Sequence, residues 1–455
     1  MIMKKKALLL LLCTALLPVK VVHAEEKYED RAAYDVSISE ELKVPFADSR
    51  EGYFEGGLVT GFGSAVTFKG FDEEGNPQFY AITDRGPNAD APQIQNGEDV
   101  SEAKVFPCPD FTPSIGILTI KDGKAVVTES IMLKDSNGEL LTGLPLEPGR
   151  VGATGEVALD TDMNLLGYDN DGLDTEGIAV DQDGNFWVSD EYGPFVVKFD
   201  STGKLLEKYA PGAGLPEILS NRIPNRGCEG LTITPSGKVI ISMQSVLDVD
   251  GETSKSACFV RFVELDPETK ECKTYAYPVD TTMYKSPKDC KIGDIYAIDD
   301  KNLLVIEQGK RADKTMSNVI MKVSLENATD ITNLSVEDKA LEYFSKEELE
   351  GNIQFLSKES YIDLREAGWT AEKAEGVCVL PDGKHIAVIN DNDFGIVTKT
   401  KDGKGEDADI TEYVYDASTK NYSLDGKKAE VYSEIGENTE PAQIWLFRVA
   451  EKLTE

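Results

Sequence analysis

The sequence predicts an all-β fold of repeated four-stranded units, and three observations carry that prediction. First, one short pattern recurs: an apolar run, a turn on Asp-Gly, Ser-Gly or Asp-Lys-Asn, a second apolar run and a polar end. It stands in "DTEGIAVDQDGNFWVSDEYGP" from Asp174, "CEGLTITPSGKVIISMQS" from Cys228, "IGDIYAIDDKNLLVIEQG" from Ile292 and "AEGVCVLPDGKHIAVINDND" from Ala374. Second, the spacing is constant: Ile178 to Glu191, Leu231 to Gln244, Ile295 to Gln308 and Val377 to Asn390 are each thirteen residues. Third, the runs are short, β-branched and bounded by turns, which marks paired strands rather than helices.

Taken in order, the chain opens on Lys4, Lys5 and Lys6, an apolar run from Ala7 to about Pro18, and Val22-His23-Ala24. This is the layout of an export signal at residues 1–24, cleaved near Ala24. The run is too short for a membrane span, which needs ~20 apolar residues. Residues 25–455 then form one domain. "GSAVTFKGFDEEGNPQFYAITDRGPN" from Gly63 is the repeat with a longer turn. Second hairpins follow the first in "FVVKFDSTGKLLEKYA" from Phe195 and "CFVRFVELDPETKECKTYAY" from Cys258. Units start near 63, 177, 230, 294 and 376. Four antiparallel strands per unit, repeated with insertions, predict a β-propeller. Five units are clear, and a sixth has room between Met132 and Thr175 or near the N-terminus. "AQIWLFRV" from Ala442 is the candidate strand to close the ring with N-terminal residues. The Glu-, Lys- and Leu-rich stretch from Val336 to about residue 370 predicts a helical insertion, and "KTKDGKGEDADI" from Lys399 a charged surface loop.

Composition narrows the function. The chain carries 82 acidic against 47 basic residues, a net charge of −35. Such a surface repels nucleic acid and anionic lipid and suits divalent cations. Six cysteines follow the signal: Cys108, Cys228, Cys258, Cys272, Cys290 and Cys378. An even count in an exported chain permits disulfides, and buried free thiols are the alternative. Of the two histidines, His23 lies in the signal and His385 in a predicted strand. Triads, Cys-His pairs and His-rich metal sites each need a well-placed imidazole. Hydrolysis by this chain would therefore use carboxylates, cation-activated water, or both.

The repeat places oxygen ligands together. In an antiparallel hairpin the start of one strand lies beside the end of the next. Glu176, Glu229 and Glu375 before the first strands therefore share a rim with Asp84, Asp190, Glu191, Gln244, Glu307, Gln308, Asn390, Asp391 and Asp393 at the second-strand ends. Crowded carboxylates resist ionising unless a cation sits among them. Hard oxygen ligands without imidazole or thiolate favour calcium. Glu176, Glu229, Glu375 and Asp84 are the preferred ligands. Glu191, Asp391 and Asp393 are further ligands or a base that orients water. Arg85 and Arg226 are candidates to hold a phosphate. The competing readings are strand caps for the acids and plain salt bridges for the arginines.

The runs "DTEGIAV", "FWVSDEYGPFVVKFD", "NRGCEGLTITPSGK", "SMQS" and "INDNDFG", with "TDRGPN" and "LTGLP", resemble the phytase-like family of exported propellers. The resemblance covers about residues 55 to 450. It implies esterase-like activity. By analogy with calcium-dependent propeller phytases, it also implies acid-ligated calcium at a channel mouth that binds phosphate and activates water. On this basis the chain reads as a monomeric calcium-dependent phosphoesterase acting on a phosphate ester such as phytate. The alternative is a non-catalytic, metal-stabilised propeller that binds a ligand or partner at the same mouth. A carboxylesterase fits poorly, because no Gly-x-Ser-x-Gly stands in a strand-turn-helix context.

Overall fold

The computed structural model describes residues 27–46, 54, 56–97 and 99–454; the export signal expected at 1–24 lies outside them. Five four-stranded blades surround a central channel. The first is Ala65–Phe71, Pro77–Ile82, Ser114–Lys121 and Lys124–Met132. The second is Thr175–Val180, Phe186–Asp190, Phe195–Phe199 and Leu205–Pro211. The third is Cys228–Ile233, Val239–Met243, Phe259–Leu265 and Cys272–Pro278. The fourth is Lys291–Ala297, Asn302–Lys310, Met316–Ser324 and Ser357–Asp363. The fifth joins Gly376–Val379, His385–Ile389 and Gln443–Val449 to the N-terminal Tyr28–Ile38. Tyr34 pairs with Ile444 in this last ladder, so the two ends of the chain close the ring, as expected from "AQIWLFRV". Residues 133–174 hold loops and the short strand Val157–Leu159, and no sixth blade stands among the described residues.

The glycine of the recurring Glu-Gly has a packing cause. A Cβ on Gly177 would sit 2.6 Å from the Glu229 carbonyl oxygen of the third blade. On Gly230 it would meet the Ile295 nitrogen of the fourth at 2.7 Å, and on Gly376 the Val66 nitrogen of the first at 2.7 Å. At these three contacts the innermost strands approach so closely that only hydrogen fits. Below this contact each blade gives one aliphatic residue to the channel wall: Val66, Ile178, Leu231, Ile295 and Val377 line a cavity of about 140 Å³. Outside the channel, apolar side chains fill the wedges between blades. Phe186, Val188 and Phe199 pack with Ile82 and Ile115 between the first and second. Trp369, Val388 and Phe447 pack with Ile306 and Ile320 between the fourth and fifth. Each such burial contributes ~1.5–3 kcal/mol.

The insertion at 336–370 is less helical than its composition predicts. One α-helical turn, Lys346–Leu349, follows a 3-10 turn at Leu341–Tyr343. Ser357–Asp363 is the outer strand of the fourth blade. Glu342 anchors the segment through a buried ion pair with Arg261, 2.6 Å to Nε. Part of the charged loop from Lys399 is also strand: Ile396–Asp402 pairs with Val431–Glu437. This insertion meets another, because Gln93–Asn96 pairs in parallel with Val414–Asp416. The two leave their blades after Arg85 and Asp393, at the end that carries the acids. All six described cysteines are free thiols, with Cys228, Cys258, Cys290 and Cys378 buried.

Candidate metal centre

A β-bulge aims two of the rim glutamates, Glu176 and Glu229. In the second blade the register slips between Thr175 and Gly177, so Glu176 is the extra residue. In the third it slips between Cys228 and Leu231, around Glu229. A bulge turns a side chain out of the strand's alternation, here toward the mouth. The fourth blade departs from the rule: by register Gly293 holds the glutamate position and Asp294 the glycine position. The buried Asp294 carboxylate accepts from Ile295 N at 2.8 Å and Val377 N at 2.9 Å. It thus ties the fourth blade to the fifth.

The tightest cluster is on the second blade. One oxygen each from Asp174, Glu176 and Glu191 lies within 4.8 Å of the others. These residues are only 2%, 8% and 8% exposed. Arg85 holds Asp174 in place, donating from its backbone N–H to Oδ1 at 3.2 Å with its Nε 3.6 Å from Oδ2. The guanidinium also pairs with Glu156 at 2.8 Å and lies against the Tyr192 and Phe106 rings. Arg85 is thus engaged in ion pairs at the rim, and Asp174, which the sequence pattern passed over, is what it positions. Asp190 closes the same turn, accepting from Tyr192 N at 2.9 Å and Asp174 N at 3.2 Å.

Glu229 of the third blade joins this cluster through Gln244. The Gln244 amide donates to Glu229 Oε2 at 3.0 Å and to Glu191 Oε1. Its own Oε1 is buried without a partner, as is Asp190 Oδ2. Unpaired buried oxygens are costly, and a cation answers that cost. Arg226 lies within electrostatic reach of Glu191 and Glu229 and donates to the Lys288 carbonyl. On the fifth blade Lys373 Nζ bridges Asp391 at 2.7 Å and Asp393 at 2.9 Å, with Glu375 close by. Asp84 of the first blade accepts from Gly86 N at 2.7 Å and feels Asp391 and Asp174.

Some rim positions serve the scaffold. Glu307 accepts from Tyr277 at 2.6 Å and pairs with Lys358, away from the mouth cluster. Gln308 Oε1 accepts from Ala374 N and Asn318, and Asn390 Oδ1 from Gln443 N. His385 sits at the far end of its strand with Nδ1 on Asp382.

The electrostatics follow from burial without enough counter-charge. Burial, then Asp174, pushes the Glu191 carboxyl up to about 8. Burial raises Glu375 to about 7 despite Lys373, and Asp190 to about 7. Glu176, Glu229 and Asp84 are held well above the carboxylate range by burial first and neighbouring acids second. For Asp393, Lys373 outweighs burial and the carboxyl is lowered. Hard oxygen donors, mutual repulsion and orphaned buried oxygens fit a metal cation.

A family profile described as esterase-like activity of phytase matches residues 59–394. The chain belongs to the phytase-like family. An uncharacterized secreted protein of Arthroderma benhamiae is 30% identical over 250 residues, 44% of this chain and 47% of the relative. The chain thus spans about half the length of that relative. Among solved structures, a luciferin-regenerating enzyme aligns over 86% of this chain and 96% of its own, at 11% identity and TM-score 0.31. A catalytically inactive virginiamycin B lyase from Staphylococcus aureus aligns over 84% and 99%, at 9% identity and TM-score 0.27. These last likenesses are too distant to carry function. The matched span, 59–394, takes in the inner hairpins of all five blades.

Proposed function

We propose that this phytase-like chain is an exported, calcium-dependent phosphoesterase working at the acidic mouth of the propeller. The observation that carries the reading is the buried cluster of Asp174, Glu176 and Glu191, with ligand oxygens within 4.8 Å of one another. These three would hold the cation, with Glu229 and Gln244 beside them and Asp84 and Glu375 on the flanking blades. When bound, a hard divalent cation supplies Lewis acidity toward phosphate and water. The remaining tasks fall to the chain. Arg85 keeps Asp174 oriented. Gln244 fixes Glu191 and Glu229 relative to each other. Asp391 and Asp393, steadied by Lys373, would orient an attacking water, and Arg226 would meet charge growing on phosphoryl oxygens. Export is supported by the secreted relative and by the N-terminal pattern. No helix among the described residues is long and apolar enough to cross a membrane.

The test is phosphate release from a panel of esters, phytate included, in calcium and in chelator. Calcium-dependent release is expected. Equal release in chelator would refute the cation's part, and no release from any ester would leave the mouth as a binding site only.

A further inference from the structure

Two lysines at equivalent repeat positions divide the mouth into unlike halves. Counting two residues back from the glutamate position gives Asp174 in the second blade, Gly227 in the third, Lys291 in the fourth and Lys373 in the fifth. In a ring of five, the fourth and fifth blades lie across the channel from the second. The acid cluster and the ammonium groups therefore oppose each other. The separation is short enough for Lys373 to act on Asp174, and for Lys291 to act on Glu191, Glu229 and Glu375.

Neither ammonium is saturated. Lys373 spends two of its three donors on Asp391 and Asp393, and its side chain stays 38% exposed. Lys291 is half-buried, and among the described residues its ammonium forms no hydrogen bond or ion pair. A lysine that only neutralised the acids would close onto one of them, and Lys291 closes onto none among the described residues. A half-buried ammonium with unused donors, facing a candidate cation site across the mouth, suits a ligand with several anionic oxygens in one compact group.

We propose that Lys291 and Lys373 form an anion-binding wall opposite the second-blade acids, selecting a phosphate group. This inference rests on the metal reading above for what stands on the other side. A carboxylate ester presents no such group, so the wall favours phosphate esters over carboxylic ones.

The experiment is calorimetric titration of inorganic phosphate, sulfate and acetate into wild type, Lys291→Met, Lys291→Arg and Lys373→Gln, with calcium and with chelator. Calcium affinity is measured separately on each protein. Lys291→Met should weaken phosphate binding at least about tenfold, the worth of one charge-assisted hydrogen bond, while calcium affinity holds or rises. Lys291→Arg should restore most of the binding, and acetate should bind far more weakly than phosphate. Equal phosphate affinity in wild type and Lys291→Met overturns the assignment, as does acetate binding as tightly as phosphate. Lys373→Gln exposes Asp391 and risks the fold, so Lys291 decides the matter. Failure of wild type to bind calcium, with lysine-dependent phosphate binding intact, would overturn the metal reading alone.

Discussion

Replacing Glu191 by Gln removes one charge from the mouth and keeps an acceptor oxygen for Gln244. The Glu191 carboxyl rises from an ordinary 4.5 to about 8 in the folded chain. Below pH 4.5 it is protonated in folded and unfolded chains alike and costs nothing. Between 4.5 and about 8 the unfolded chain releases the proton while the folded chain keeps it, so stability falls as pH rises. Above 8 the loss is complete. At ~1.4 kcal/mol for each tenfold change in proton affinity, the limit is on the order of 5 kcal/mol. Glu191 shares its repulsion with Asp174 and Glu375, which reduces the single-site effect to about 2–4 kcal/mol. For a chain this long, that is a melting shift of about 2–4 °C. Scanning calorimetry in chelator, from pH 4.5 to 9, checks it. The Glu191→Gln variant should match wild type at pH 4.5 and melt higher by that amount at pH 8.5. A variant that melts lower than wild type at pH 8.5, or differs by a constant at every pH, would refute the claim that Glu191 is a buried, repelled carboxyl.

Two further substitutions separate ligand from scaffold. Glu229→Gln should lower hydrolysis at least about tenfold, with partial recovery at high calcium and an apo protein at least as stable; a destabilised apo fold with unchanged calcium affinity would make Glu229 a structural cap. His385→Gln should leave any hydrolysis within about threefold, because the imidazole lies on Asp382 at the far end of its blade; a loss of about a thousandfold would point to imidazole catalysis.

The fold was legible because the blades repeat one pattern. Glycine stands where inner strands touch at Gly177, Gly230 and Gly376, and the thirteen-residue spacing fixes the hairpin that follows. The closing strand showed itself by apolar alternation in "AQIWLFRV". The segment at 336–370 misled because Lys, Glu and Leu suit both a helix and an exposed outer strand. There Ser357, Glu359 and Ser360 are exposed on a strand that begins 33 residues after the end of its partner, Met316–Ser324. At the site, the glutamates were read from their place before glycine. Asp174, Lys291 and Lys373 were missed although they share one repeat position, because their chemistry differs from blade to blade. Glu307 was grouped with the rim by spacing alone. Spacing gives the end of a strand and not the face of a side chain, and Glu307 turns to Tyr277 and Lys358.

The central claim, that the mouth holds calcium, is tested most directly by melting wild type and Glu176→Gln across a calcium series against chelator. A cation that binds only the folded ring adds about 2.7 kcal/mol at a hundredfold excess over its dissociation constant. The wild-type melting temperature should therefore climb steadily with the logarithm of calcium, by about 3 °C at that point, while Glu176→Gln climbs much less. Identical wild-type curves in excess calcium and in chelator would contradict the account.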